Sequence, residues 1–381
     1  MMAMNSRERV VTAISHREPD RVPIAIGGSA QKFPEEVIRA MIARYGIPAD
    51  SLRPVFAQFR FEYISEPLWE ALGADFRHIY WLPEQAFSLE LQRQGAAYID
   101  EWGMDYDFTK GQGVNSFQCR RSPLREATVD DLETYSWPDP RAYNRTARMA
   151  EEAACLYNTT EYAVAAYRNG GIFDYSSYLR GQEQFLMDLI VNPKFAHAML
   201  DRITEILIIY YSQLMNAVGD YVHVVEIADD LGTQIGPMIS PKMYDEFVRP
   251  CHSKLIRTIK KEHPQVKVMI HCDGGVGPLL PGFIDAGIDI LNPVQATARG
   301  MDPQSLKKEF GKDLVFQGGI DTQQLLRRGT PEQVAEEVKR MIDIMGPGGG
   351  YIIGPSHNFL SDIPIENIVA MFETAQDYSL S

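Results

Sequence analysis

The chain has 381 residues, 45% hydrophobic and 23% charged, with a formal net charge of −14. That mix is ordinary for a globular protein, and without a basic block it disfavours a nucleic-acid or anionic-membrane partner. Its apolar runs, such as ILIIYY, are far too short to span a bilayer, and the N-terminal stretch lacks the apolar core of a secretory signal. Cys119, Cys155, Cys251 and Cys272 are scattered, with no CxxC pair, so a reducing, cytoplasmic setting is expected.

In chain order, residues 1–20 read as an amphipathic helix with Val10, Val11 and Ile14 on one face. A first strand near 21–27 and a helix (PEEVIRAMIARYG) follow. Residues 55–75 read as helical, and FRHIYWLP (76–83) as a second strand. The alternating stretch 87–108 reads as a β-hairpin within an excursion over 85–140, and a helix is expected at about 143–157. Six short apolar runs then recur at 162–171, 221–230, 266–275, 288–295, 314–321 and 350–358. Helical patterns separate them at about 181–217, 241–263, 277–286, 302–310, 331–345 and 364–376. Eight strands with interleaved helices predict a single-domain α/β chain, a (β/α)₈ TIM barrel over 1–381, rather than a doubly wound open sheet.

Barrel chemistry sits at the C-terminal strand ends. The run VKVMIHCDGG carries His271, Cys272 and Asp273 where a strand meets two glycines. Strand alternation turns His271 and Asp273 to one side and Cys272 to the other. The last strand ends near His357. Two imidazoles and a carboxylate with an open position form a catalytic metal set, for zinc or non-haem iron. Glu226, inside an apolar strand, needs a compensating partner and is a candidate fourth ligand or acid–base group. Asp229, Asp230 and Arg168 are candidates for positioning substrate or stabilising charge. Tyr80, Tyr167, Asn169, Phe173, Gln234, Gln295 and Asn358 are candidate substrate contacts near the strand ends.

The stretches DDLGTQIGPMISPKMYDEFVRP, GIDILNPVQ, LKKEFGKDLVFQGGIDTQ and GGYIIGPSHN, with the strand ending in His271, resemble the uroporphyrinogen decarboxylase superfamily. The resemblance implies a (β/α)₈ barrel and either decarboxylation or cobalamin-linked methyl transfer. Decarboxylases of this kind carry an arginine-containing stretch where this chain reads IAIGGSAQKFP, and a catalytic aspartate where it reads HIYWLPEQ. The methyltransferase branch places zinc on His-x-Cys at the fifth strand and Cys at the eighth. His271 matches the histidine, Asp273 falls on the first cysteine position and His357 near the second. The implied metal donors are therefore His271, Asp273 and His357, with Glu226 as a fourth. Replacing thiolates by oxygen and nitrogen gives a harder Lewis acid, suited to a methyl ether. The resemblance thus implies an O-demethylase component that moves methyl from a small methoxylated, aromatic substrate to cobalamin on a separate corrinoid protein. A dimer is common among such relatives. A metal-free decarboxylase and a non-catalytic binding barrel are the alternatives.

Overall fold

The computed structural model describes residues 3–57, 60–81, 98–110, 115–142, 145–168 and 170–379. The strands, in chain order, are β1 (Arg53–Ala57), β2 (Arg60–Ile64), β3 (Phe76–Tyr80), β4 (Tyr98–Ile99), β5 (Asp105–Lys110), β6 (Asn115–Arg121) and β7 (Ala163–Tyr167). They continue with β8 (Val224–Ala228), β9 (Gly232–Thr233), β10 (Gly236–Pro237), β11 (Lys267–His271), β12 (Ile290–Val294), β13 (Val315–Ile320) and β14 (Tyr351–Pro355). Seven of them form one parallel sheet in the order β14-β13-β12-β11-β8-β7-β3. The expected first strand closes the ring with minimal pairing. Ile24 bridges Ile353 in parallel, while Asp75 N donates to Ile24 O on the other side. This is the (β/α)₈ TIM barrel that the strand–helix alternation predicts.

The lumen is layered because inward residues recur every second position. Ala25, Phe76, Ala165, Val224, Met269, Ile290, Val315 and Ile352 form a buried apolar floor, which Val10 and Ile14 of the helix Ser6–Ile14 join. That helix caps the amino-terminal end of the barrel. Buried Asp75 ties it down, accepting from Arg9 at 2.6 Å, Arg21 at 2.8 Å and Ile24 N at 2.8 Å. With the floor sealed, polar side chains gather in the layers above it.

Several elements depart from expectation. Arg53–Ala57 and Arg60–Ile64 pair as antiparallel strands rather than helix, and among the described residues of this stretch only Glu66–Ala71 is helical. The segment RPVFAQFRFEYI is rich in aromatic and β-branched residues, which favours a pleated pair. The excursion carries the three-stranded antiparallel sheet β4-β5-β6; its expected start at 85–97 lies outside the described residues. The helical stretch 181–217 divides into Gln182–Val191 and Pro193–Val218, because Pro193 cannot continue a helix but suits the start of one. No helix among the described residues is long and apolar enough to cross a membrane.

Candidate active site

The carboxyl end of the barrel collects the titratable groups. Register sets their depth. Glu226 of β8 lies beside Met269 of β11, whereas Ala228 lies beside His271. Glu226 therefore sits one inward layer below His271, while Asp230, two residues past Ala228, lies one layer above it, level with Asp273. The ligand-type atoms of Asp230, His271 and Asp273 all lie within 4.8 Å of one another.

Each donor is held by a partner. His271 Nδ1 lies 2.8 Å from Asn292 Oδ1. An amide oxygen only accepts, so Nδ1 carries a proton, and in the neutral ring the lone pair is on Nε2, the arrangement usual for a metal-ligating histidine. Asp273 Oδ1 accepts from Gln295 Nε2 at 2.8 Å, and Asp230 Oδ1 accepts from Asp273 N at 3.0 Å. Asp273 Oδ2 faces both imidazoles, 3.9 Å from His271 Nε2 and 3.3 Å from His357 Nε2. Cys272 is turned away as alternation requires, fully buried, with its Sγ accepting from Leu231 N at 3.2 Å.

The charges are frustrated. Burial pushes the Asp230 carboxyl above its usual range and the Asp273 charge adds to this, outweighing nearby His271. Burial would depress His271, but Asp273 and Asp230 outweigh it and hold its pKa up. Burial would likewise raise Asp273, yet His357 and His271 hold it below the ordinary carboxylate range. Asp174, at the first turn of the helix Ile172–Arg180, is pushed well up by burial and by Asp230 and Asp229. Two carboxylates and an imidazole lone pair converging in this way match the donor chemistry of a divalent cation, which would relieve their mutual repulsion. By that test the residues fit a bound metal.

Not every expected residue joins them. Glu226 lies away from the donor group. Its Oε2 accepts from Ser29 N and Ser29 Oγ, both at 2.9 Å, and its Oε1 lies 3.2 Å from His78 Nε2. Asp229 is 1% exposed, and both its oxygens are occupied by backbone amides of Ile172 and Asp174 and by His252. It holds structure rather than facing substrate. Arg168 also departs from expectation. It follows inward Tyr167 and so faces outward. Its buried guanidinium lies among aromatic rings, 4.7 Å from the Tyr210 centroid and 5.8 Å from that of Tyr175, and donates to Gly170 O at 3.3 Å. Phe173 is drawn into the core against Phe185 rather than toward a ligand.

Among the other expected contacts, Tyr80 and Tyr167 pair edge-to-face at 5.8 Å. Gln234 donates to Gln295 Oε1 at 3.1 Å, and Asn358 Oδ1 accepts from Lys32 N at 3.0 Å. Asn169 lies outside the described residues. Sequence reasoning missed Asp174, His78 and His252. Tyr244, Val248 and His252 recur at i, i+4, a signal that His252 lies on a buried helix face.

A parallel eight-fold barrel that concentrates carboxylates and imidazoles at its strand ends defines a TIM-barrel enzyme. The chain belongs to the uroporphyrinogen decarboxylase (URO-D) family, whose pattern matches residues 97–378. It is 25% identical over 287 residues to uroporphyrinogen decarboxylase of Trichodesmium erythraeum, covering 73% of this chain and 74% of that protein. It is 27% identical over 291 residues to the Aliarcobacter butzleri enzyme of the same name, covering 74% and 77%. A solved methyltransferase from Methanosarcina mazei superimposes with a TM-score of 0.64, covering 98% of this chain and 99% of that one at 17% identity, a likeness of fold.

Proposed function

We propose that this barrel is a cytoplasmic, metal-assisted methyltransferase. It takes methyl from a small methoxylated, aromatic substrate, and the acceptor is the cobalt of cobalamin held by a separate corrinoid protein. The observation that carries the reading is the convergence of Asp230, His271 and Asp273 within 4.8 Å at neighbouring strand ends. These three would hold zinc, with iron as the alternative, and His357 stands beside Asp273. A metal there would act as a Lewis acid, drawing charge from the ether oxygen as the methyl departs.

The protein's own groups prepare that site. Asn292 fixes the His271 tautomer, and Gln295 orients Asp273. Tyr80 and Tyr167 form an edge-to-face aromatic pair at this end of the barrel, with Lys32 Nζ 4.9 Å from the Tyr167 ring centroid. Asp273, held ionised by its imidazole neighbours, and the buried carboxyl of Glu226 offer no cationic cradle for a polycarboxylate, which supports an uncharged ether. The decarboxylase relatives favour a second reading, loss of carbon dioxide from an organic acid on the same barrel without a metal.

Metal content and turnover separate the two. The expected result is about one zinc per chain, lost in His271→Ala and Asp273→Ala, with methyl transfer from aromatic methyl ethers to free cob(I)alamin. A protein that takes up no metal when zinc is supplied, and that decarboxylates acids in the presence of a chelator, would overturn this reading in favour of the second.

A further inference from the structure

We infer that Asp229, backed by His252 and Tyr244, is a positioning element that sets the spacing of Asp230, His271 and Asp273 from behind the barrel wall. The inference rests on the metal reading above and deepens it.

Three buried polar side chains form a line. The Tyr244 hydroxyl is 2.9 Å from His252 Nδ1, and His252 Nε2 is 2.6 Å from Asp229 Oδ2. Tyr244 and His252 are fully buried and Asp229 is 1% exposed. A carboxylate only accepts, so His252 Nε2–H donates to it, and Nδ1 shares a hydrogen bond with the Tyr244 hydroxyl. The local fold is arranged to admit the line. The chain widens into a π-turn over Tyr244–Val248 ahead of Pro250, whose ring would clash with a regular turn. A Cβ at Gly282 would lie 2.7 Å from the Tyr244 ring, so a bare glycine there leaves room for it.

Asp229 passes this anchoring on through a ladder of carboxylates, each accepting from the backbone amide of the next. Asp229 Oδ1 accepts from Asp174 N at 2.9 Å. Asp174 Oδ1 accepts from Asp230 N at 3.1 Å, and Asp230 Oδ1 accepts from Asp273 N at 3.0 Å. The Asp229 amide in turn donates to His271 O at 2.9 Å. All three donor residues thus share a rung with this ladder. Capping the helix Ile172–Arg180 needs only the two amide contacts of Asp229. Burying a histidine and a tyrosine behind it adds desolvation cost without adding a cap, and what they add is a fixed carboxylate direction.

The test uses Co(II) as the metal probe, with affinity and visible absorption bands read beside the melting temperature of the metal-free protein. His252→Leu should weaken Co(II) binding by about tenfold, the lower end for outer partners of a metal site, and shift the bands. His252→Gln, which restores a donor near Nε2, should recover most of the affinity. Tyr244→Phe removes a single oxygen and should move affinity and bands in the same direction by less, which keeps the test open if His252→Leu fails to fold. If these variants lower the melting temperature but leave Co(II) affinity and bands unchanged, the line is structural only and the inference falls. Wild-type protein that binds no Co(II) would overturn the metal reading and this inference with it.

Discussion

Gln295 Nε2 donates to Asp273 Oδ1 at 2.8 Å, while Gln295 Oε1 accepts from Gly274 N at 3.0 Å. One amide side chain beyond the end of β12 thus clasps both the side chain and the following backbone of a residue beyond the end of β11. Gln295 is 6% exposed, so its amide is committed to these partners rather than to water. Gln295→Ala is therefore expected to free Asp273 and weaken zinc binding by about 10-fold to 100-fold. Gln295→Glu places a carboxylate against Asp273 and should weaken it further by like-charge repulsion. Calorimetric titration of zinc into the metal-free variants checks both.

The metal-free protein should become less stable from mildly acidic toward alkaline pH. The folded-state pKa of His271 is raised above its ordinary 6.5. Its stabilising contribution is fully present below that value and is lost as pH rises through the folded one. Asp230 and Asp174 are raised above 3.8, so the folded state holds their protons more tightly and loses stability as pH climbs past that point. Asp273, held below 3.8, acts oppositely, its contribution being lost only as pH falls through its depressed value. Melting temperatures across this range, with and without zinc, give the check. Zinc should restore most at alkaline pH, above the raised pKa of His271, where no proton competes for its imidazole.

The barrel was legible because its evidence is local: apolar runs and amphipathic helices alternate in the sequence itself. The β1–β2 pair was lost because Val55, Phe56, Phe61 and Tyr63 in a short window satisfy either period. At the site, His271 and Asp273 were legible as an i, i+2 pair beside a strand end. The choice between Glu226 and Asp230 was not, because both share the inward face of β8 and its extension. Only the register decides: Glu226 pairs with Met269 below the donors, and Asp230 falls beside Asp273 among them. Asp174 was hidden for a similar reason. It arrives through the close packing of a helix start on the end of β8, and nothing near it in sequence reports that contact.

Gly171 makes that packing possible. A Cβ there would fall 1.6 Å from Ala228 O and 2.3 Å from Asp229 Oδ1. Both atoms belong to the wall that carries Asp230, so relief requires the helix Ile172–Arg180 to move off the barrel. Gly171→Ala should cost more than the ~1 kcal/mol of an average substitution, by severing the amide contacts of Asp229. Urea unfolding measures this, and weakened zinc binding should accompany it, since Asp174 and Asp230 shift together.

Glu226 gives the sharpest separation between what residue type suggests and what register permits. Its carboxylate is 0% exposed, and Gly28 packs so closely that a Cβ there would lie 2.5 Å from Oε1. Ser29 occupies Oε2 with two hydrogen bonds, while Oε1 stands 3.2 Å from His78 Nε2 without a hydrogen-bond partner among the described residues. A ligand role would require breaking those contacts and rising a full layer. Glu226→Gln should therefore keep the zinc stoichiometry of the wild type while losing about 1–2 kcal/mol of stability, as charge-assisted hydrogen bonds to Ser29 are replaced by neutral ones. His271→Ala should do the reverse at the metal and abolish binding. Parallel metal analysis of the two variants decides the point. Zinc lost from Glu226→Gln with the fold intact would return Glu226 to the donor set and show that the strap at Gly28 and Ser29 yields when the metal enters.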